Sequence, residues 1–152
     1  MTTSAAVRIR VPAVVQAVRL LLCVVALSHV VVALVMWARE AALRNEIAAA
    51  HPDFGAAEVA RSAEIAVASA AVFHAVLVVL CLLPAWRLGA GRSWARRLVT
   101  ISQPLGLLFS VVSWSSSAMF HAVIPVVGAL QIAAVVLLWV PAAREFFARA
   151  RR

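Results

Sequence analysis

The stretch Ala85-Trp86-Arg87-Leu88-Gly89-Ala90-Gly91-Arg92-Ser93-Trp94-Ala95-Arg96-Arg97 carries four arginines, two glycines and two tryptophans between two long apolar runs. Tryptophan favours the headgroup level of a bilayer and arginine its cytosolic side, so this turn predicts two helices leaving it in the same direction, with the turn inside. The two glycines allow tight re-entry.

The whole composition agrees with a lipid solvent. Of 152 residues, 65% are hydrophobic and 13% charged, with a mean hydropathy of +1.01; a soluble domain is roughly half apolar and about a quarter charged. Spans of about 20 residues with short connections use up the length as one domain, residues 1–152. The net charge of +8 comes from fourteen arginines and no lysine. They sit at the ends of apolar runs rather than along one face, which argues for membrane topology and against nucleic acid.

Outward from the turn, the chain reads as four spans, Leu20 to Trp37, Ile65 to Leu83, Leu98 to Trp114 and His121 to Val140. The first run is longer than a signal-peptide core and has no small-residue cleavage site, so it reads as an anchor. Before it, Arg8, Arg10 and Arg19 flank an apolar patch that suits a short interfacial segment. After Pro141, the tail 142–152 sets Phe146 and Phe147 among Arg144, Arg149, Arg151 and Arg152, again an interfacial pattern. Eleven of the fourteen arginines fall on the N-terminus, the turn 85–97 and the tail, and five of the six acids on residues 38–64. The expectation is an all-α, antiparallel bundle of four transmembrane helices in the plasma (inner) membrane, with both termini cytoplasmic.

Residues 38–64 keep a helical pattern broken at His51-Pro52, with Asp53 placed to cap the next helix. In an antiparallel hairpin, facing residues have numbers of constant sum. A turn at 51–52 pairs Arg39 with Glu64, Arg44 with Glu58 and Arg61 with Glu40, all near 103, and predicts an ion-paired outer hairpin.

The same rule orders the polar residues within the spans, whose faces mark helix contacts because a polar group in lipid is costly. Sums near 103 pair Cys23 with Cys81 and His29 with His74; sums of 234 pair Gln103 with Gln131, Gly106 with Gly128 and Ser113 with His121 across a turn at Ser115-Ser116-Ser117. The His layer would lie about 14–15 Å from the inner interface and the Cys layer one to two turns nearer to it. Two facing imidazoles suit a haem, a metal ion, a small molecule or proton passage. The plainer reading is a hydrogen bond that needs no cofactor. The thiols read as packing groups.

The likeness of Ala71-Val72-Phe73-His74-Ala75-Val76-Leu77 to Ala118-Met119-Phe120-His121-Ala122-Val123-Ile124 has five identities in seven. The two histidines would lie at different depths, and repeat architectures show more copies, so we read it as chance. No acid falls inside a span, and no Ser-His-Asp set, phosphate loop or His-x-x-x-His occurs. The expectation is a non-enzymatic accessory or assembly subunit with lipid and a membrane protein, or a second copy, as partners. The alternatives are a cofactor-binding protein using His29 and His74, and a small transporter or channel subunit lined by Gln103, Ser110 and Gln131.

The turn Gly91-Arg92-Ser93-Trp94-Ala95-Arg96 resembles the Gly-Arg-x-Trp-Ala-Arg turn of small uncharacterised four-helix membrane proteins of high-GC bacteria. The resemblance covers one turn and the general layout. It implies a bacterial four-span protein and lends no activity or site residue.

Overall fold

The computed structural model describes residues 10–116 and 121–151, the side chains of 112, 113, 115 and 116 excepted. Those residues form six helices: α1 (Ala13–Ala38), α2 (Glu40–Ala50), α3 (Ala56–Leu88), α4 (Ser93–Ser116), α5 (Val123–Trp139) and α6 (Pro141–Arg149). The fold is an all-α helical bundle. By length and composition, α1 and α3 can each cross a membrane, and α5 with α6, bent by 59° at their break, pass the same test as one broken element.

The long helices close a circuit, since α1 lies against α3 and α5, and α4 lies against the same two. Their shared core is not spread evenly. It gathers Val15, Val18, Leu22, Val25, Ala26, Cys81, Ala85, Leu88, Val99, Ala134, Leu138, Phe146 and Phe147, all near the arginine-rich turn. Towards the other end, Val30, Val31 and Leu34 of α1 and Val72 and Val76 of α3 are exposed.

Several local expectations are corrected. The apolar patch before Leu20 is no separate interfacial segment: α1 begins at Ala13, where the Pro12 carbonyl accepts from the Val15 and Gln16 N–H groups. Val15 and Val18 are fully buried there, so this segment is held by the core. The second apolar helix does not end at Pro84 but runs through it to Leu88. Pro84 inside the helix removes only one N–H donor, which an apolar helix in a bundle tolerates.

The tail is also more than an interfacial helix. The chain turns at Val140, whose backbone is extended, and Pro141 opens α6 as its first residue. Phe146 and Phe147 are 2% and 0% exposed and join the core, so α6 closes the arginine-rich end of the bundle.

At the far end, α1 is interrupted at Arg39 (φ −105°, ψ 18°), and α2 resumes from it to pack along α3. The turn after α2 is closed by the Phe54 N–H donating to the His51 carbonyl at 3.0 Å, with the two rings stacked. Gly55, not Asp53, is the N-cap of α3, and the Glu58 carboxylate accepts from the Gly55 N–H at 2.8 Å, half of a capping box. The expected cross-hairpin pairs of Arg39, Arg44 and Arg61 are absent among the described residues. Arg44 instead pairs with Glu40 on its own helix at 2.6 Å. Partners one turn apart need no second helix to hold them in register, which favours the local pair.

Candidate functional site

The constant-sum rule predicts which residues share a level, and helix rotation then decides which of them touch. On α1 and α3, His29 and His74 meet. Their Nδ1 atoms are 3.2 Å apart, with ring centroids 5.3 Å apart and planes tilted by 35°. One Nδ1–H donates to the other ring's lone pair, so the two imidazoles take complementary tautomers. His29 is 7% exposed, and its Nε2 is buried with no partner. The edge of Phe73 borders the His74 ring, and Phe73 in turn meets Phe109 of α4.

Two nitrogens 3.2 Å apart would subtend about 100° at an ion bonded to each at about 2.0–2.1 Å. The geometry therefore suits either a direct hydrogen bond or two corners of a tetrahedral site. No group of three His, Cys, Asp or Glu suited to a metal occurs among the described residues, so the protein offers such an ion two ligands here. A haem held by both His29 and His74 would require their 3.2 Å contact to open.

Cys23 and Cys81 lie at one level but are not bonded to each other. Cys23 is exposed on α1, whereas Cys81 is buried and accepts at Sγ from the Gln103 Nε2 of α4 at 3.7 Å. The physical reason is that α3 has two neighbours, and Cys81 turns to the one reached through the arginine-rich turn. The signal was present in the sequence: across that turn, Cys81 with Gln103 and Phe73 with Phe109 give sums of 184 and 182.

Gln103 and Gln131 are both buried, and the two line one small cavity of about 130 Å³. The expected amide–amide bond is not formed. Gln103 spends its N–H groups on Cys81 and Ser102, and the Oε1 atom of each glutamine has no partner. The glycines do not face each other either. A Cβ on Gly106 would stand 3.0 Å from Gln131 Nε2, and one on Gly128 would stand 2.9 Å from a Leu107 methyl, so each glycine makes room for a side chain of the opposite helix. Ser110 donates to the Gly106 carbonyl of its own helix at 3.0 Å.

The Ser113 side chain and Ser117 lie outside the described residues. His121 stacks on Trp114 at 4.2 Å between centroids, and its Nε2–H donates to the Trp114 carbonyl at 2.9 Å.

At the arginine-rich end, Trp86 and Trp94 are exposed, and the Arg87 guanidinium lies 4.3 Å from the Trp86 ring centre. Arg92 is exposed. Arg96 is half-buried, 4.0 Å from the Trp139 ring centre and 5.6 Å from that of Phe147. Trp139 also donates from Nε1 to Thr100 Oγ1 at 3.2 Å. Arg96 and Arg97 line, with Ser93, Trp139, Arg144 and Arg151, a groove of about 730 Å³ between the start of α4 and α6.

Arg19, a flanking charge in the sequence pattern, joins two elements. Its Nε donates to the Ala85 carbonyl in the last turn of α3 at 2.9 Å, and its Nη1 to Gln16 Oε1 at 2.7 Å. The numbers of Arg19 and Ala85 sum to 104, so the rule that brings His29 to His74 also sets these two at one level, although it does not say that an arginine would bond a carbonyl there. The chain matches no known protein-family model, no curated protein and no solved structure.

Proposed function

We propose that this chain is a four-span protein of the plasma membrane, with both termini in the cytosol, and that it works as a non-enzymatic accessory or assembly subunit. Three arginine-bearing segments support the orientation by meeting at one end of the bundle. Arg19 bonds to the end of α3, Gly91 of the turn lies against Ala150 beyond α6, and Arg96 stacks on Trp139 at the end of α5. A single cytosolic end for all three is what the distribution of arginine requires.

The observation that carries the subunit reading is the uneven packing. Away from the arginine-rich core, α1 and α3 flank an open groove of about 390 Å³ lined by Ala33, Leu34, Trp37, Val67, Ala68 and Ala71, with Glu40 and Glu64 also in its lining. Small side chains at such a seam let another helix approach closely, the usual basis of association in lipid. A membrane helix of a partner, seated there, would cover a face that the chain itself leaves open.

Blue-native electrophoresis of native membranes tests this. A discrete species above monomer mass is expected, and Ala68→Leu with Ala71→Leu, which fill the groove, should return it to monomer. A wild-type protein that runs only as monomer in mild detergent overturns the subunit reading. Orientation is tested separately with Arg92→Cys in a background lacking Cys23 and Cys81. An impermeant maleimide should label it only after the membrane is opened, and labelling of intact cells overturns the orientation.

The orphan Nε2 of His29 favours a second reading, a cofactor or small-molecule site at His29 and His74. Purified protein with stoichiometric metal or a Soret band, lost in His29→Ala, would favour it over the first.

A further inference from the structure

We propose that the groove between the start of α4 and α6 seats the phosphate group of an anionic phospholipid. Four arginines line it, Arg96, Arg97, Arg144 and Arg151, against one acid, Glu145. That acid is exposed and directed to Arg149, outside the lining, at 3.8 Å. The arginines are therefore left facing one another with little counter-charge.

Burial, then the nearby Arg144 and Arg151, push the Arg96 guanidinium below the usual arginine pKa. An anion in the groove relieves that repulsion, and a phosphate accepts the planar, two-pronged donor geometry of guanidinium groups.

Two buried donors point to the same ligand. Ser93 Oγ and Arg96 Nε, both in the lining, are shielded from solvent and have no partner. A phosphate oxygen would satisfy either. Ser93 also opens α4, a helix of 24 residues, whose N-terminal end favours negative charge.

Depth decides between a lipid and a free phosphate. One wall is Trp139, half-exposed and anchored to Thr100 of α4. A tryptophan at the junction of the apolar α5 and the charged α6 belongs at headgroup level. The groove thus opens where lipid phosphates lie. The cytosolic leaflet as its source rests on the orientation proposed above; the seat itself does not.

Native mass spectrometry of the full chain in mild detergent tests the seat, with phosphatidylglycerol and phosphatidylcholine offered at equal concentration. Wild type should retain phosphatidylglycerol selectively. Arg96→Gln with Arg144→Gln should reduce retention by about tenfold or more, from the loss of two interfacial cations. Arg10→Gln with Arg92→Gln, which removes the same charge from exposed positions outside the groove, should leave retention unchanged.

Equal retention of the two lipids by wild type, read without any variant, overturns the proposal. So does a loss in the Arg10→Gln, Arg92→Gln variant as large as that of the groove variant, which would mean diffuse charge. Displacement of phosphatidylglycerol by an equal concentration of inorganic phosphate would also overturn it, by assigning the groove to the free anion. A monomer that keeps phosphatidylglycerol leaves the seat standing while the subunit reading falls.

Discussion

Arg19 donates through Nε to the Ala85 carbonyl at 2.9 Å, which ties the start of α1 to the last turn of α3. A helix leaves its last four carbonyls without intrahelical partners, and a cation there also meets the negative end of the helix dipole. Gly89 lies under the same side chain, with space for a Cβ only 3.1 Å from Arg19 Nη1.

Arg19→Met should therefore lower stability by about 1–3 kcal/mol, the range for a partly buried hydrogen bond to a charged group. Unfolding of the purified chain by denaturing detergent measures it. Gln16→Ala, which removes only the second acceptor, should cost less. Equal stability of Arg19→Met and wild type would show that the contact contributes nothing.

The His29–His74 pair makes a prediction with a distinct signature. His29→Leu or His74→Leu alone strands one imidazole and should cost about 1–3 kcal/mol, and the double variant should cost less than the sum of the two. A coupling of about 0.6–1.7 kcal/mol is expected from measured hydrogen bonds in membrane bundles. Strictly additive effects would mean that the 3.2 Å contact carries no energy.

Gly91 separates strain from collision. Its φ is +69°, and a Cβ there would collide with that of Ala150. Gly91→Ala should free the tail beneath the turn, seen as faster tryptic cleavage at Arg149. Adding Ala150→Gly removes the collision but keeps a backbone cost of about 1–2 kcal/mol, so protection should return only in part. Full restoration would show that the left-handed backbone matters little; no change in either variant would show that α6 does not need this approach.

The two thiols should differ in reactivity. Cys23 is exposed and Cys81 is buried beneath Gln103, so a membrane-permeant maleimide should modify Cys23 in the folded protein and Cys81 only after unfolding. Equal labelling of both in the folded protein would contradict the burial of Cys81.

Much of the fold could be read from residue types alone. Apolar runs, Pro52 and Pro141, and the glycines of the turn gave the all-α class and most breaks, because these depend on local backbone chemistry and on the choice between lipid and water. Constant sums brought His29 to His74, because an antiparallel hairpin fixes axial level. They did not fix rotation. Cys81 shares a level with Cys23 yet turns to Gln103, since a helix with two neighbours presents a given residue to only one of them.

By itself, the sequence determined that this is an apolar helical chain with its arginines gathered at a few segments, since hydrophobicity and charge placement are properties of residue order. Only the tertiary structure decided that α6 folds under the bundle with Phe146 and Phe147 inside, that Cys81 bonds Gln103, and that Arg96 and Arg144 border one groove. Those contacts join residues far apart in the chain. They arise from the rotation and bend of packed helices, which side-chain volume and close approach at Gly91 fix only once all the helices are in place.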